Sequence, residues 1–195
     1  LIKRSGMNFT KLPEEEFDQD IMGEYTGAGV IFGTTGGVME EALRTAYHAL
    51  TGKEHEAAKF EAVRGMEGLK EAAIEINGKE IKVAVASGMK NAKVLLDQIK
   101  EGNSPYTFIE IMGCPGGCVN GGGQPIVPAS IKNFTDVRAA RAAGLYNDDK
   151  NLKIRKSHEN PDVKAVYDEY FEKPGSHKAH EILHTSYVAR SMFKK

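Results

Sequence analysis

The sequence lacks several features that mark common classes of protein. Its 195 residues include only two cysteines and no tryptophan. Two cysteines cannot form the disulfide framework of a small secreted domain, and they suit a reducing compartment in which thiolates persist. No apolar run approaches the ~20 residues that cross a bilayer, and no secretory signal is recognisable at the N-terminus. We therefore expect a cytoplasmic protein with no membrane partner.

An excess of charge of one sign is also lacking. The 26 basic and 27 acidic residues leave a formal net charge of −1. A balanced charge provides no general attraction to nucleic acid or to an anionic membrane, so nucleic acid is not expected as a partner. The length and the 41% hydrophobic content do allow a buried core, and they predict one compact unit with extensions.

Glycine, by contrast, is abundant, and its densest stretch surrounds both cysteines. Ile109–Pro125 reads IEIMGCPGGCVNGGGQP and contains Cys114 and Cys118. The apolar run at its start predicts a buried strand over Thr107–Met112. Thiolates are soft ligands that suit zinc, cuprous copper or iron–sulfur clusters, and two of them could bind one metal or two corners of one cluster.

The cysteine spacing and the neighbouring glycines narrow the kind of site. Structural zinc sites and thioredoxin-like sites commonly use C-x-x-C, whereas the spacing here is C-x-x-x-C and occurs once. Two free thiols or a local disulfide are the alternative. A metal site is favoured because Pro115 fixes a turn and several glycines let a bulky ligand approach the main chain, namely Gly116, Gly117, Gly121, Gly122 and Gly123.

The pattern before the cysteines predicts an α/β fold, with a mixed or parallel sheet and flanking helices. Alternating residues up to Ile76, the turn Asn77-Gly78 and a strand over Lys79–Ser87 predict a β-hairpin. The second strand should place three apolar side chains on one face, Ile81, Val83 and Val85.

A helix is predicted to follow this hairpin and to lead into the cysteine loop. Gly88 begins it and Gly102 ends it, and its predicted inward side chains are Ala92, Leu95, Leu96 and Ile99. Strand, helix and the strand Thr107–Met112 form a β–α–β unit, whose strands should be parallel. Cys114 then follows the carboxyl end of a strand, where open α/β sheets bind ligands.

Further helices are predicted before this unit. Leu1–Gly6 has the pattern of a helix end, and Val38–Leu50 has helical spacing, with Met39 and Tyr47 in or beside the core. The glycine-rich stretch Thr26–Gly37 reads G-x-G-x-x-x-G from its second residue. This is one residue longer than the dinucleotide-binding fingerprint, so no nucleotide site is predicted there.

The C-terminal part of the chain is predicted to be helical. A charged connection over Thr51–Gly68 precedes the hairpin, whereas helices are predicted over Ile131–Asn147 and from the N-cap Asn160 to Phe171. Three histidines lie at helical spacing and could bind a metal, but no cysteine or carboxylate completes the set. We therefore predict a structural role for His177, His180 and His184.

Three blocks of the sequence resemble one known family. CPGGCVNGGGQP, preceded by FIEIMG, resembles the third cluster-binding motif of the FeFe (iron-only) hydrogenases. Gly29–His48 is similar to the sequence ahead of that motif, and Arg155–Tyr187 resembles the small-subunit or C-terminal belt segment. The resemblance implies half of the two-lobed catalytic domain, followed by a helical extension. Its implied division is residues 1–128 for the large-subunit portion and 129–195 for a helical linker and belt.

The resemblance also implies a cofactor and roles for particular residues. Cys114 and Cys118 would bind the 4Fe-4S cubane of the H-cluster, with Cys118 bridging it to the diiron subsite. Met112 and Phe32 would line the diiron pocket, although ordinary core packing is the alternative for Phe32. Further residues would surround the cofactor, namely Gly33, Gly113, Pro115, Gly116, Gly117, Gly121, Gly122 and Gln124. The implied reaction is reversible reduction of protons to dihydrogen, with electrons from ferredoxin or a similar carrier.

One departure from the family is decisive for the isolated chain. A cubane bound by cysteine needs four thiolates, and this sequence contains two. We therefore expect a partner that supplies the rest, the missing N-terminal portion or another subunit, and the start at Leu1 rather than Met agrees with this. The isolated chain is expected to hold no H-cluster and to make no hydrogen. The alternatives are a non-catalytic iron–sulfur protein, like the cytosolic cluster-assembly relatives, and a sensory or scaffold module.

Overall fold

The structure, a computed structural model, describes residues 1–16, 18, 22–53 and 62–191. Its sheet has three strands in the order β1-β2-β3. These are β1 (Leu69–Ile76), β2 (Lys79–Ser87) and β3 (Phe108–Met112). β1 pairs antiparallel with β2, and β2 pairs parallel with β3. The predicted α/β class, mixed sheet and β–α–β strand directions are confirmed.

The helices flank this sheet and form most of the C-terminal part. They are α1 (Gly27–Ile31), α2 (Gly37–Thr51), α3 (Met89–Lys100), α4 (Ala129–Lys132), α5 (Val137–Asn151), α6 (Pro161–Val166), which continues as a π-helical turn over Tyr167–Phe171, and α7 (His177–Leu183). Short 3₁₀ turns occur at Phe9–Lys11, Cys118–Asn120 and Ser157–Glu159. No helix in the described ranges has both the length and the apolar character to cross a membrane.

The β1–β2 hairpin forms where its turn residues predict it. Asn77 and Gly78 both have positive φ, 51° and 75°. This is the backbone of a type I′ turn, whose twist matches that of the paired strands. Of the predicted connection ahead of β1, residues 54–61 lie outside the described part of the chain.

The core lies on both faces of β2. Val83 and Val85 join a buried cluster with side chains of α2, including Met39 and Leu43, while Tyr47 packs against that cluster. The intervening alanines of β2 face α3, in a second cluster with Ala84, Ala86, Ala92 and Leu95. A central strand covered on both faces is typical of α/β proteins. The predicted inward face of Ile81, Val83 and Val85 is confirmed.

One prediction for α3 is wrong in part. Ala92 and Leu95 are fully buried, but Leu96 and Ile99 are 46% and 51% exposed. The helix packs over the two small alanines of β2, so only a narrow stripe of it is covered. Helical spacing alone predicted a wider stripe than this narrow sheet can cover.

Two predicted helices are also corrected. Residues 1–6 form turns rather than a helix end, and the whole of 1–16 is exposed. A short helix with no buried face is marginal in water. The helix predicted over Ile131–Asn147 is broken between Lys132 and Val137. The side chain of Asp136 accepts hydrogen bonds from the amides of Arg138 and Ala139, and so begins a new helix.

The N-cap predicted at Asn160 is confirmed. Its side chain accepts hydrogen bonds from the amides of Asp162 and Val163, and helical structure continues to Phe171. The histidines do not share one helical face, because α7 ends at Leu183 and His184 has an extended backbone. A structural role for these exposed histidines remains a prediction.

A buried ion-pair network joins the C-terminal part to α2. The guanidinium of Arg44 lies 2.9 Å from the carboxylate of Asp149 on α5 and 2.6 Å from that of Glu40. Arg155 also binds Asp149, at 2.7 Å, and Arg64 binds Glu40 at the same distance. Glu40 lies in the first turn of α2, and its carboxylate is fully buried in this network.

Candidate metal centre

The two cysteines lie on the loop that follows β3. β3 ends at Met112, whose carbonyl oxygen accepts a hydrogen bond of 2.8 Å from the amide of Gly88 at the end of β2. Cys114 and Cys118 come directly after it, and both are exposed free thiols. The predicted position beyond the carboxyl end of a parallel strand is confirmed, and the structure contains no disulfide between them.

Hydrogen bonds within the loop leave both sulfurs at its surface. The amide of Gly117 donates to the carbonyl of Cys114, and the amide of Gly121 donates to that of Cys118, each at 3.0 Å. The side-chain amide of Gln124 donates to the carbonyl of Cys118, also at 3.0 Å. The Cys114 sulfur lies only 3.9 Å from the point that a β-carbon on Gly121 would occupy. Glycine there keeps one side of this thiol clear.

The loop packs against the turn between α1 and α2. The amide of Thr35 donates to the carbonyl of Gly116, and the amide of Val119 donates to the carbonyl of Gly33, each at 3.1 Å. Gly117 lies between these two bonds with a φ of 94°. A β-carbon on it would lie 2.7 Å from the nitrogen of Thr35 and 2.8 Å from the oxygen of Gly33. The turn and the loop therefore meet backbone to backbone.

The structure brings part of the predicted site together. Gly33, Cys118 and Gln124 line one cleft of about 320 Å³, together with Val119, Arg141, Gly144 and Leu145. Phe32 is the neighbour of Gly33 in the sequence, and this residue is 40% exposed. The described chain thus covers Phe32 only in part, and its place in the pocket lining remains a prediction.

The other predicted residues differ in their surroundings. Met112 is half-buried and Pro115 is exposed. Gly116 is buried, and a β-carbon on it would lie 3.2 Å from the sulfur of Met66. A β-carbon on Gly113 or on Gly122 would meet no other atom within 4 Å. The described chain thus packs against the middle of the loop and leaves its two ends open.

Sequence reasoning missed two residues that hold this region together. The guanidinium of Arg141 donates to the carbonyls of Val119 and Pro125, at 2.9 Å and 3.0 Å, and so secures the exit of the loop. Glu110 on β3 accepts hydrogen bonds from two amides at the start of α2. The acidic Glu110 inside the otherwise apolar strand FIEIM was a signal in the sequence that this residue has a special role. Arg141 lies in an alanine-rich helix, and no feature of the sequence marked it.

Known families match nearly the whole chain. The sequence profile described as iron only hydrogenase large subunit, C-terminal domain, matches residues 1–122. The chain belongs to the iron-only hydrogenase family. The profile described as iron hydrogenase small subunit matches residues 135–190. The predicted family is therefore confirmed.

Relatives and solved structures agree with this membership. Iron hydrogenase 1 of Clostridium pasteurianum is 47% identical over 96% of this chain and 32% of its own length. A periplasmic Fe hydrogenase large subunit from Nitratidesulfovibrio vulgaris is 50% identical over 74% of this chain and 34% of its own. A variant of the FeFe-hydrogenase from Chlamydomonas reinhardtii has a TM-score of 0.67 and 42% identity, over 96% of this chain and 53% of that chain. The chain spans about a third of the length of the curated relatives it matches.

A second class of relative is more distant. Protein NAR1 of Arabidopsis thaliana is 32% identical over 96% of this chain and 40% of its own length. Other matches are named as cytosolic iron–sulfur assembly proteins, including one from Bos taurus that is 30% identical over 80% of this chain. This chain is thus similar both to proteins named as hydrogenases and, at lower identity, to proteins named for iron–sulfur cluster assembly.

The donor atoms of this chain fit part of a cluster site. Two exposed thiols on an open glycine loop are suitable ligands for an iron–sulfur cluster. Among the residues that the structure describes, no group of three histidine, cysteine or acidic side chains is placed to hold a metal ion. The described residues therefore supply two thiolates of the four that a cubane requires.

Proposed function

We propose that this chain provides two of the four cysteine ligands of the H-cluster in an FeFe-hydrogenase. One observation carries this proposal: Cys114 and Cys118 are free, exposed thiols on one loop, and that loop lies in the part of the chain that matches the large-subunit profile. The other two thiolates would come from the portion of the enzyme that the relatives have and this chain does not span. When bound, the cluster supplies the electron transfer and the interconversion of protons and dihydrogen.

The chain's own residues would position and shield this group. Cys114 and Cys118 would bind the cubane, and the open main chain around Gly121 would let it approach. Met112 would place a soft thioether beside the diiron subsite, where it does not compete as a strong ligand. The exposed ring of Phe32 would cover the pocket and keep water out.

The partner, carrier and compartment follow from the same proposal. The N-terminal portion of the hydrogenase would pack on the open side of the cysteine loop, and ferredoxin or a similar protein would deliver electrons. Residues 1–128 would belong to the large-subunit portion and 129–195 to the linker and belt. A cytoplasmic location rests on composition alone, and one matched relative is named periplasmic.

The proposal is tested by comparing this chain with the full-length hydrogenase. We expect the full-length protein, produced with its maturation factors, to contain the H-cluster and to evolve hydrogen. Cys114→Ser or Cys118→Ser should remove the cubane signal from electron paramagnetic resonance (EPR) spectra and lower turnover more than 100-fold, because a hydroxyl is a poor ligand for iron. Thr10→Ser, on an exposed segment far from the loop in sequence, is the control and should change neither.

Two results would contradict the proposal. One is full iron content and turnover in either cysteine variant of the full-length protein. The other is substantial hydrogen evolution by the 195-residue chain alone, because two thiolates cannot complete the site.

A non-catalytic cluster-assembly protein is the second candidate. The similarity to NAR1 over 96% of the chain favours it. The higher identity to iron hydrogenase 1, 47% against 32%, favours the enzyme. A full-length protein that binds a cubane but evolves no hydrogen after maturation would decide for the second candidate.

A further inference from the structure

Two buried charges lie in one row across the sheet, beneath the turn that holds the cysteine loop. Lys70 on β1 is the pairing partner of Val85 on β2, and Val85 is the partner of Glu110 on β3. Lys70 is 5% exposed and Glu110 is 6% exposed. Because directly paired residues project from the same face of a sheet, both charged side chains point toward α2.

The ammonium of Lys70 is bound to main-chain carbonyls. It donates to the oxygen of Thr35 at 2.9 Å and to that of Gly65 at 3.1 Å. Burial lowers the pKa of Lys70 to about 8, and the nearby charge of Glu110 acts in the opposite direction. The ammonium form of Lys70 therefore predominates at neutral pH, so a positive charge is buried beneath the turn.

The carboxylate of Glu110 binds amides of the same turn. It accepts hydrogen bonds of 2.7 Å from the amides of Gly36 and Met39, at the start of the 15-residue helix α2. A carboxylate at a helix N-terminus satisfies free amides and interacts favourably with the helix dipole. Lys70 thus binds the carbonyl, and Glu110 the amide, of the one peptide group that joins Thr35 to Gly36.

That turn is the part of the chain that holds the cysteine loop. The peptide unit on one side of Thr35 accepts from Lys70, and the amide of Thr35 donates to Gly116 between the two cysteines. A continuous series of hydrogen bonds therefore runs from the sheet through the turn to the loop. In this series only one residue, Thr35, stands between the ammonium of Lys70 and the cysteine loop.

We propose that Lys70 and Glu110 are positioning residues for the cluster site. They fix the turn from Phe32 to Gly36 against the cysteine loop, and their opposite charges act on the reduction potential of the cubane. This inference rests on the proposed function and goes beyond it, because neither residue contacts the thiols. A buried charge acts over longer distances than an exposed one, since water and salt screen it less.

The test is made on the full-length hydrogenase, with substitutions of similar shape. Lys70→Met removes the positive charge and should move the potential of the cubane to more negative values. Glu110→Gln removes the negative charge and should move it to more positive values. We expect a threefold to tenfold change in the reduction equilibrium in each case, where tenfold corresponds to about 59 mV for one electron. Loosening of the structure alone does not predict shifts of opposite sign.

Hydrogen exchange in the apoprotein tests the anchoring separately. Lys70→Met should speed exchange of the Thr35 and Val119 amides about tenfold or more, because both donate to the contact between turn and loop. Lys82→Met and Glu75→Gln are the matched controls. These side chains are exposed on the same sheet, and their removal should leave potential and exchange unchanged.

The outcomes separate this inference from the proposed function. If the wild-type protein assembles a cubane and the two variants shift its potential in the same direction or not at all, the electrostatic role is wrong. Unchanged exchange at Thr35 in Lys70→Met overturns the anchoring. If the wild-type full-length protein assembles no cluster, the proposed function is wrong, and exchange in the apoprotein still decides the anchoring.

Discussion

The contact between the cysteine loop and the turn before α2 depends on the absence of a side chain at Gly117. A β-carbon there would lie within 3 Å of backbone atoms of Gly33, Thr34 and Thr35, and the φ of 94° is one that other residues rarely adopt. Backbone atoms cannot move aside as a flexible side chain can. This residue therefore sets how closely the two segments approach.

We predict that Gly117→Ala opens this contact and destabilises the protein by about 2–3 kcal/mol, through strain and loss of the Thr35 and Val119 hydrogen bonds. Urea denaturation measures the free energy of unfolding. Gly122→Ala is the control, because a β-carbon there meets nothing within 4 Å. It should change stability by less than about 0.5 kcal/mol. Equal effects of the two substitutions would show that the close approach at Gly117 is not what holds the loop.

At the scale of elements, α2 and the C-terminal part meet at a pair of stacked histidines. The rings of His48 and His158 have centroids 4.5 Å apart, and the hydroxyl of Thr45 lies 2.9 Å from Nδ1 of His158. Glu41 accepts a hydrogen bond of 2.7 Å from the amide of Ser157. The pKa of His158 is lowered, chiefly because burial disfavours the imidazolium and also because His48 is close.

This lowered pKa predicts that the junction weakens in acid. The unfolded chain binds a proton at the ordinary histidine pKa of about 6.5, whereas folded His158 binds it at lower pH. The free energy of unfolding should therefore fall as the pH drops through about 6.5, and the fall should end once folded His158 is also protonated. Glu41 and Glu159 oppose the shift and Lys156 reinforces it, so all three belong to the same electrostatic surroundings.

His158→Gln should remove part of this pH dependence between pH 7.5 and 5.5, measured by urea denaturation at each pH. Carboxylates with ordinary pKa values remain ionised over this range, which isolates the histidines. His177→Gln, at an exposed position on α7, is the control and should retain the wild-type profile. A profile for His158→Gln that matches the wild type would assign the pH dependence to other groups.

At the scale of the whole molecule, one buried ion-pair network connects segments that are far apart in the chain. Arg44 on α2 binds Asp149 on α5, and Asp149 also binds Arg155 after that helix. Burial alone would raise the pKa of Asp149, but hydrogen bonds from Arg155 and Arg44 outweigh it and hold this pKa below its usual range. The network joins the part that matches the large subunit to the part that matches the small subunit.

Arg44→Met should cost about 3 kcal/mol in the free energy of unfolding, because it leaves two buried carboxylates with fewer partners. The estimate is at the low end for a broken buried pair, since Glu40 keeps Arg64 and Asp149 keeps Arg155. Lys93→Met breaks an exposed pair with Asp97 and is the control, with an expected change within about 0.5 kcal/mol. Comparable losses in the two variants would contradict a central role for the buried network.

Features that depend only on neighbouring residues could be predicted from the amino-acid sequence. The type I′ turn at Asn77-Gly78, the amphipathic helix α2 and the cap at Asn160 each follow from a few adjacent side chains. The cysteine loop was also recognisable, because its residue types and spacing lie within one short stretch, and the family was confirmed. Local spacing was misleading for α3, where the width of the sheet decides which side chains are covered.

The contacts between segments far apart in the chain became visible only in the folded structure. Gly117 packs against a turn about 80 residues before it, Glu110 caps a helix from another part of the chain, and Arg44 binds Asp149 across 105 positions. The physical reason is that buried charges and close backbone contacts are stabilised by whatever packing places beside them, and a local window of sequence contains no record of those neighbours.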